Sequence, residues 1–258
     1  MSRLLEGKVA AITGAVTGIG RAIALEYIKQ GASIAINHFP DDKSARQFDE
    51  MQKEAGTGAK MIAVPGDISK PETGQELVKR AVEEFGKLDV FVSNAGVCQF
   101  ADFLTMSPDL VNFTISTNLN GAFFAIQAAA QQMAKQEPPG GSIIGISSIS
   151  ALVGGAGQTH YTPTKAGVLS LMQSTACALG KYGIRCNALL PGTIRTQLND
   201  EDLADPEKKR YMEGRIPLGR LGKPTDLAGP AVFLASDLSA YVSGAQLLVD
   251  GGLFVNLQ

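Results

Sequence analysis

The sequence is poor in the residues that build metal sites and disulfide frameworks. Among its 258 residues there are three cysteines, two histidines and no tryptophan. Cys98, Cys177 and Cys186 are odd in number and show no paired spacing, and only His38 and His160 could join them as ligands. These counts exclude a disulfide framework and a zinc site, so we predict no metal and a reducing, cytoplasmic location.

The sequence also lacks an excess of one charge and any long apolar run. The net charge is −2 with acidic and basic residues interspersed, which excludes the basic surface of a nucleic-acid-binding protein. No run approaches the roughly 18 apolar residues that a transmembrane helix needs. The first nine residues do not resemble a signal peptide. We therefore expect a globular protein with no nucleic-acid partner and no membrane partner.

Short apolar runs alternate with helical patterns along the whole chain. This alternation predicts one doubly wound, Rossmann-like α/β domain over residues 1–258, with a parallel sheet of about seven strands flanked by helices. The predicted strands are Lys8–Thr13, Ser33–Asn37, Lys60–Val64, Val90–Ser93, Ser142–Ile146, Arg185–Leu190 and Gln246–Val249. The predicted helices include Arg21–Gln30, Pro71–Phe85, Leu110–Lys135, Tyr161–Lys181 and Thr225–Ser236.

The segment Arg195–Lys223 differs from the rest of the chain. It is polar and charged, and it contains no apolar run that reads as a strand. Segments of this kind commonly form excursions that carry function over the edge of a sheet. We predict a small helical substrate lid here.

A glycine-rich turn joins the first predicted strand to the first helix. It reads T-G-A-V-T-G-I-G over Thr13–Gly20, with the spacing G-x-x-x-G-x-G. Glycines let the backbone approach a pyrophosphate closely, and a helix N-terminus favours negative charge. At this place in an α/β chain the turn predicts a dinucleotide site, although a plain tight turn is the alternative. Its contact residues are predicted to be Gly14, Thr17, Gly18, Ile19 and Gly20.

The end of the second predicted strand bears on which dinucleotide is used. NAD-selective sites carry an acidic residue there, about 20 residues beyond the glycines. Here the strand ends in Asn37-His38 without an acid, so we predict use of both NADP and NAD with some preference for NADP. His38 is predicted to contact the cofactor, although Asn37 and His38 could equally be solvated loop residues. Asp67, with Ile68 beside it, is predicted to accept the adenine amino group; a simple turn aspartate is the alternative.

Tyr161 and Lys165 are four residues apart in a predicted helix, so the phenol and the ammonium share one face. A free tyrosine has a pKa of about 10, which leaves roughly 0.1% phenolate at neutral pH. A neighbouring ammonium and a cationic cofactor ring could lower that pKa by about 3 units. The pair predicts proton transfer to or from an alcohol. An amphipathic helix with an exposed lysine is the alternative.

The ordered set of motifs resembles the short-chain dehydrogenase/reductase family. Besides the glycine turn and the tyrosine–lysine pair, the set contains Asn94-Ala95-Gly96, Asn118, Ser148 and Pro191-Gly192, and it covers almost the whole chain. The resemblance implies a doubly wound domain, usually in a tetramer.

The resemblance also implies a role for each matching residue. Tyr161 resembles the catalytic acid/base, Lys165 its partner and ribose anchor, Ser148 the ligand of the reacting oxygen, and Asn118 the support of a proton-relay water. Two segments resemble cofactor contacts, namely Asn94-Ala95-Gly96 beneath the cofactor and Pro191-Gly192-Thr193-Ile194 at the nicotinamide carboxamide. Ser93 departs from the asparagine usual at that position in the family, a change that bears on strand support more than on chemistry.

Four longer stretches resemble one group within the family, the L-rhamnose 1-dehydrogenases. The stretches are Gly141–Gly155, Gln158–Gly167, Met212–Arg220 and Gly244–Gln258. The resemblance implies oxidation of L-rhamnose at its anomeric carbon to the 1,4-lactone with NAD(P). A sugar is best held by neutral donors and acceptors, and the predicted substrate contacts are Ser148, Ser150, Gln158, Tyr161 and Thr193. Gln158 could instead be an amide on a loop surface.

Three other functions stay open from the sequence. A 3-oxoacyl-carrier-protein reductase would need a basic surface, which Arg195 and Lys208–Arg210 could offer, but the acidic residues nearby, over residues 200–207, oppose it. A cofactor-sensing regulator would have a broken Ser-Tyr-Lys set, and this set is intact. Another sugar or polyol dehydrogenase is the third. Alanine-rich surface on Leu110–Lys135 and Tyr161–Lys181 is consistent with the homotetramer that the resemblance implies, although it could pack within one chain.

Overall fold

The computed structural model describes residues 3–197, 199 and 203–256. Within these residues, seven parallel strands form one sheet in the order β3-β2-β1-β4-β5-β6-β7. The strands are β1 (Val9–Ile12), β2 (Ser33–His38), β3 (Met61–Pro65), β4 (Val90–Ser93), β5 (Gly141–Ile146), β6 (Ile184–Pro191) and β7 (Gln246–Val249). All seven predicted strands are present, and the doubly wound α/β fold is confirmed.

Helices connect the strands and cover both faces of the sheet. They are α1 (Gly18–Lys29), α2 (Asp42–Ala55), α3 (Pro71–Phe85), α4 (Pro108–Ile115), α5 (Gly121–Lys135), α6 (Tyr161–Leu179), α7 (Pro206–Arg215) and α8 (Ala228–Ala235). A π-helical turn, Ser116–Asn120, joins α4 to α5, so the predicted helix Leu110–Lys135 runs on without a loop. The sequence interpretation did not name α2, whose only buried residue is Met51, because so narrow an apolar stripe is a weak helical signal.

The core has two halves, one on each face of the sheet. Strand β4 shows the arrangement, because Val90 and Val92 pack into the half beneath α1 and α8 while Phe91 packs into the half beneath α3, α5 and α6. Successive side chains of a strand point to opposite faces. Both faces are covered, which explains why these strands read as continuous apolar runs.

The order of the strands fixes where a ligand can bind. Strand β1 pairs with β2 on one side and with β4 on the other. The strands up to β3 therefore extend the sheet on one side of β1, and the strands from β4 onward extend it on the other side. The loops that leave β1 and β4 separate at this point, and ligands of such sheets bind in the resulting crevice at the carboxyl ends.

The segment after β6 forms the predicted helical excursion. An isolated bridge between Ile194 and Gly222 closes its base. A separate apolar cluster of Leu203, Ile216, Leu221 and Leu253 ties α7 to the C-terminal segment. Residues 198 and 200–202 of the predicted lid lie outside the described residues, as do residues 1, 2, 257 and 258 of the predicted domain. Its action as a lid stays a prediction.

Within the described ranges, no helix combines the length and the apolarity that crossing a lipid bilayer requires.

Candidate active site

The glycine turn after β1 is held in place by the loop after β4. Asn94 Nδ2 donates to the carbonyls of Thr13 and Gly14, at 2.9 Å each. In return, Thr13 Oγ1 accepts the backbone N–H groups of Asn94 and Ala95 at 2.9 and 3.0 Å. A Cβ placed on Gly20 would lie 2.8 Å from the carbonyl oxygen of Gly14, so helix and turn can be this close only with glycine. The predicted role of Asn94 and Ala95 beneath the cofactor stays a prediction, and their bonds support the turn.

The N-terminus of α1 is free to receive an anion. Thr17 occupies the N-cap position, but its side chain caps no backbone N–H, and the first turn carries no acidic residue. Gly18 has a φ of +55°, and a Cβ there would approach the side chain of Thr196 at 3.6 Å. A cradle between an uncapped helix N-terminus and a hydroxyl-bearing side chain fits the pyrophosphate of a dinucleotide. Ile19, next to Gly18, packs partly against the core.

The end of β2 is buried. Asn37 Nδ2 donates to the carbonyls of Val64 and Gly66 at 3.2 and 3.0 Å. The ring of His38 stacks on Phe48 of α2 with its centroid 6.3 Å away, and its Nδ1 lies 2.8 Å from the Phe39 carbonyl. The reading of Asn37 and His38 as solvated loop residues is wrong, because both are buried strand residues. Contact between His38 and a cofactor stays a prediction.

Asp67 follows β3 and takes part in a tight turn. Its Oδ1 accepts the backbone N–H of Ser69 at 2.9 Å, and its carbonyl accepts the hydroxyl of Thr73 at 2.7 Å. The turn uses one carboxylate oxygen and leaves Oδ2 for a donor such as the adenine amino group. Ile68 is buried, and its carbonyl packs against Gly121 of α5.

The four residues predicted to perform chemistry are brought together at the carboxyl edge of the sheet. Ser148 follows β5, and its side chain lies close enough to Tyr161, the first residue of α6, to lower the pKa of the phenol. The Lys165 ammonium lies 5.6 Å from the centre of the Tyr161 ring. A Cβ on Gly96 would stand 3.4 Å from both Lys165 Nζ and Asn118 Oδ1, which shows how closely these two groups meet above the loop after β4.

Ser148 is oriented by the short 3₁₀ turn that it begins. Its hydroxyl oxygen accepts the backbone N–H of Ser150 at 3.0 Å. Ser147 instead donates its hydroxyl to the Lys165 carbonyl at 2.7 Å. Ser148 therefore caps this turn. This does not exclude chemistry, because a hydroxyl that accepts one bond can still donate its proton to a reacting oxygen.

Lys165 is held by the backbone of β5. The residue is 5% exposed, and its ammonium donates to the Ile146 carbonyl at 3.0 Å. Burial lowers the pKa of this lysine to about 8. An ammonium has three donors, so two remain for other groups.

The environment of Tyr161 differs from the predicted one. Burial raises the pKa of Tyr161 above its ordinary value, the nearby Cys98 side chain raises it further, and the Ser148 side chain lowers it. The lowering of this pKa by Lys165 together with a cationic cofactor ring stays a prediction; the Lys165 ammonium itself donates to the Ile146 carbonyl. The desolvation of the phenol outweighs the charge effect that spacing on a helix suggests.

Asn118 lies in the π-helical turn between α4 and α5. Its Oδ1 accepts the backbone N–H of Val97 at 2.8 Å, and its Nδ2 donates to the Val97 carbonyl at 2.9 Å and to Thr164 Oγ1 at 3.2 Å. The Asn118 carboxamide thus links the loop after β4 to α6. Isolated π-helical turns occur frequently at functional sites. The support of a relay water by Asn118 stays a prediction.

The predicted substrate residues lie around this cluster. Gln158 is half-buried, and its Nε2 donates to the sulfur of Cys98 at 3.3 Å rather than extending freely on the surface. Ser150 and Thr193 are also half-buried. Thr193 lies at the base of the lid, where its carbonyl accepts the N–H of Gly222 at 3.0 Å.

The residues predicted at the nicotinamide lie at the end of β6. Pro191 is its last residue and pairs with Val249 of β7. Gly192 packs against Asp250, where a Cβ would lie 2.8 Å from the Asp250 Cα. Ile194 is buried at the bridge that closes the lid.

Two residues of the site were missed by sequence reasoning. Cys98 was counted only as a possible disulfide or metal ligand, although it lies two residues after the motif Asn94-Ala95-Gly96. Thr196 faces Gly18, but it was assigned only to the lid. The signal that could have found both is their closeness to motif residues at the carboxyl ends of strands.

Known proteins match this fold and this sequence over nearly their whole length. A protein family described as Enoyl-(Acyl carrier protein) reductase matches residues 14–254. The crystal structure of a short-chain type dehydrogenase/reductase from Mycobacterium marinum superposes with a TM-score of 0.88 at 35% identity, and 96% of each chain is covered. The chain belongs to the short-chain dehydrogenase/reductase family. The resemblance drawn from the motifs is thereby confirmed.

Among short-chain dehydrogenases/reductases, the chain is similar to two enzymes that share one name. It is 69% identical to the L-rhamnose-1-dehydrogenase of Scheffersomyces stipitis over 100% of both chains. It is 61% identical to the L-rhamnose 1-dehydrogenase (NAD(P)(+)) of a Sphingomonas species, over 99% of this chain and 100% of the other. Its identity to a 3-oxoacyl-[acyl-carrier-protein] reductase of Staphylococcus aureus is 38%, over 96% of this chain and 98% of the other.

Proposed function

We propose that this short-chain dehydrogenase/reductase is an NAD(P)-dependent L-rhamnose 1-dehydrogenase, which oxidises the anomeric carbon of L-rhamnose to L-rhamnono-1,4-lactone. The observation that carries the proposal is the 69% identity, over both full lengths, to an enzyme of that name. The gathering of Ser148, Tyr161 and Lys165 at one edge of the sheet supports it.

The proposal includes the use of both NADP and NAD, with some preference for NADP. The name of the Sphingomonas enzyme gives NAD(P)(+) as its cofactor. In this chain β2 ends in Asn37-His38 and is followed by Phe39, so no carboxylate there repels a 2′-phosphate. A bound nicotinamide supplies a hydride acceptor and, in its oxidised form, a positive charge.

The residues that would hold the cofactor follow the carboxyl edge of the sheet from β3 to β6. The turn after β1 and the uncapped start of α1 bind the pyrophosphate, Asp67 accepts from the adenine, and Lys165 donates to a ribose hydroxyl. The full set comprises Gly14, Thr17, Gly18, Ile19, Gly20, His38, Asp67, Ile68, Asn94, Ala95, Gly96, Tyr161, Lys165, Pro191, Gly192 and Ile194.

The proton leaves the sugar through the tyrosine. Tyr161 takes the proton of the anomeric hydroxyl while the hydrogen on C1 leaves as hydride. Ser148 donates its O–H to the same oxygen and stabilises its developing charge. Because burial opposes the phenolate, Tyr161 loses its proton only where positive charge offsets that burial. Lys165 and Asn118 then return the proton toward solvent.

Neutral groups around this point hold the sugar. Ser148, Ser150, Gln158 and Thr193 each offer a donor or an acceptor, and the sugar presents several hydroxyls. A site that pairs its buried polar groups with substrate hydroxyls strongly rejects analogues that lack them. Residues 195–223 are proposed to close over this pocket as a lid.

The assembly and the location complete the proposal. A homotetramer is supported by apolar side chains that stay exposed on α4 and α5, namely Phe113, Ile115, Phe123 and Phe124. Exposed apolar side chains grouped on neighbouring helices often mark a contact between proteins. The cytoplasm is proposed because the few cysteines show no disulfide pattern.

A substrate panel tests the proposed function. The purified protein is assayed with aldoses, polyols and acetoacetyl thioesters, each with NAD and with NADP, and the product is identified as lactone by NMR. We expect the highest kcat/KM with L-rhamnose and activity with both cofactors. In Tyr161→Phe the rate should fall by roughly 10²–10⁴-fold, because the proton acceptor is lost. NADPH binding followed by fluorescence should persist.

Two results would contradict this function. One is a preference for the acetoacetyl thioester with NADPH, which would identify a 3-oxoacyl-carrier-protein reductase. The other is near wild-type turnover by Tyr161→Phe, which would remove the tyrosine from the chemistry.

A further inference from the structure

Two loops at the carboxyl edge of the sheet are joined to each other. The loop after β4 and the loop between β5 and α6 share a backbone hydrogen bond, from the Ala101 N–H to the Gly157 carbonyl at 3.1 Å. They also share one side-chain hydrogen bond, from Gln158 Nε2 to Cys98 Sγ at 3.3 Å. The sulfur therefore lies where the two loops meet, 60 residues away from Gln158 along the chain.

The position of Cys98 is fixed from its own side. Asn118 forms hydrogen bonds with both the N–H and the carbonyl of Val97, the residue before Cys98, at 2.8 and 2.9 Å. Asn118 also bonds to Thr164 of α6. The backbone that carries the thiol is thereby tied to α6, and it cannot move without breaking these bonds.

Gln158 is fixed at its backbone as well. Its carbonyl accepts the N–H groups of Tyr161 and Thr162, at 2.9 Å each, at the start of α6. The Nε2 end of its half-buried side chain is engaged by Cys98. Across the described residues no protein donor reaches the Oε1 end, which lies beside Gly155. An amide oxygen held in this way is available to a donor from outside the chain.

We propose that Cys98 is a positioning residue for the substrate: its sulfur accepts from Gln158 Nε2 and thereby holds Gln158 Oε1 ready to accept a hydroxyl of the bound sugar. The inference rests on the proposed function and deepens it, since it identifies what orients one of the sugar ligands. The influence of Cys98 on the pKa of both Tyr161 and Lys165 independently shows that the thiol lies near both groups.

Substitutions at position 98 distinguish the loss of the hydrogen-bond acceptor from a change in side-chain volume. Cys98→Val keeps a side chain of similar size but has no acceptor, and Cys98→Ser keeps an acceptor. With L-rhamnose we expect KM to rise roughly threefold to tenfold in Cys98→Val, the effect of losing one neutral hydrogen bond. It should change less than about twofold in Cys98→Ser. The value of kcat and the dissociation constant of NADPH should stay near wild type in both variants. Cys177→Ser, at an exposed cysteine, is the matched control.

A double-mutant cycle tests whether Cys98 acts through Gln158. Gln158→Leu removes both ends of the amide, so Cys98→Val should raise KM by less than about twofold in that background. If Cys98→Val raises KM by the same factor with and without Gln158, the sulfur does not act through the amide and the inference fails. A wild-type KM in Cys98→Val also overturns it. So does a loss of kcat that parallels a fall in Tm, which indicates a purely structural role.

The failure of this inference can be told apart from the failure of the proposed function. The wild-type protein is first assayed on the substrate panel. If it oxidises another alcohol in preference to L-rhamnose, the proposed function fails. The cycle is then measured with that alcohol, and the coupling between Cys98 and Gln158 is supported or overturned as before.

Discussion

Lys165 illustrates, at the scale of single residues, how burial sets the charge of a side chain. Its ammonium has one backbone partner and is almost inaccessible to water. The pKa of the lysine falls from 10.5 to about 8 because the low-dielectric surroundings penalise the charged form. The protein therefore keeps this cation at neutral pH at a cost in stability.

We predict a pH dependence of stability that depends on this lysine. Between pH 8 and pH 10.5 the unfolded chain holds the lysine proton while the folded protein has released it, so folding stability rises with pH across this window. Lys165→Met has no such proton. Between pH 7.5 and pH 10.5, the free energy of unfolding should increase by up to about 3 kcal/mol more in the wild type than in the variant.

Urea denaturation of the protein without added cofactor, repeated across this pH range, measures the effect. Lys29→Met is the control, because the Lys29 side chain is largely exposed. A constant difference between wild type and Lys165→Met at every pH would contradict the prediction.

At the scale of elements, the glycine turn and α1 act as one unit with the loop after β4. The turn is bonded through Thr13 and Asn94, and the first turn of α1 packs directly on the turn at Gly20. Packing this close leaves no room for an added methyl group. The proposed pyrophosphate cradle is therefore sensitive to the side-chain volume at Gly20.

We predict that Gly20→Ala impairs cofactor binding. Its Cβ would meet the Gly14 carbonyl at 2.8 Å as well as the Asn94 side chain, so the turn must shift away from α1. The dissociation constant of NADPH, measured by fluorescence titration, should rise at least roughly tenfold, and Tm should fall.

Gly58→Ala is the matched control for this variant. An added Cβ at Gly58 meets no atom within 4 Å, and binding and Tm should equal those of the wild type. NADPH affinity that is unchanged in Gly20→Ala would show that the cradle is not where the cofactor binds.

At the scale of the whole molecule, α4 and α5 carry apolar side chains that a single chain does not bury. Phe113 of α4 is 55% exposed and Phe123 of α5 is 44% exposed, although α5 buries its alanines in the core. Burial of such aromatic surface between copies of the chain stabilises closed, symmetric oligomers.

We predict that Phe113→Glu weakens the proposed tetramer. A carboxylate at this place would have to lose its hydration in an apolar interface, which is costly. Analytical ultracentrifugation should give four times the mass of the chain for the wild type and a smaller species for the variant. Leu4→Glu, before β1, is the control and should stay tetrameric. A wild-type monomer would refute the proposed assembly.

The strands were predictable to within about two residues at either end because local signals mark them. Strands β4 and β7 begin and end at the predicted residues. Apolar runs bounded by turns are sufficient where both faces of a sheet are covered. Helix α2 was not named, since its one buried residue, Met51, makes a weak pattern.

The sequence by itself determined the succession of strands and helices along the chain, the glycine turn and the i, i+4 pair of Tyr161 and Lys165, because local spacing and period produce these features. Only the tertiary structure decided that Cys98 meets Gln158 and that Thr196 faces Gly18, since these contacts join segments distant in the chain. It also decided the opposite pKa shifts of Tyr161 and Lys165. Desolvation depends on every atom packed around a group, and no spacing along the chain encodes it.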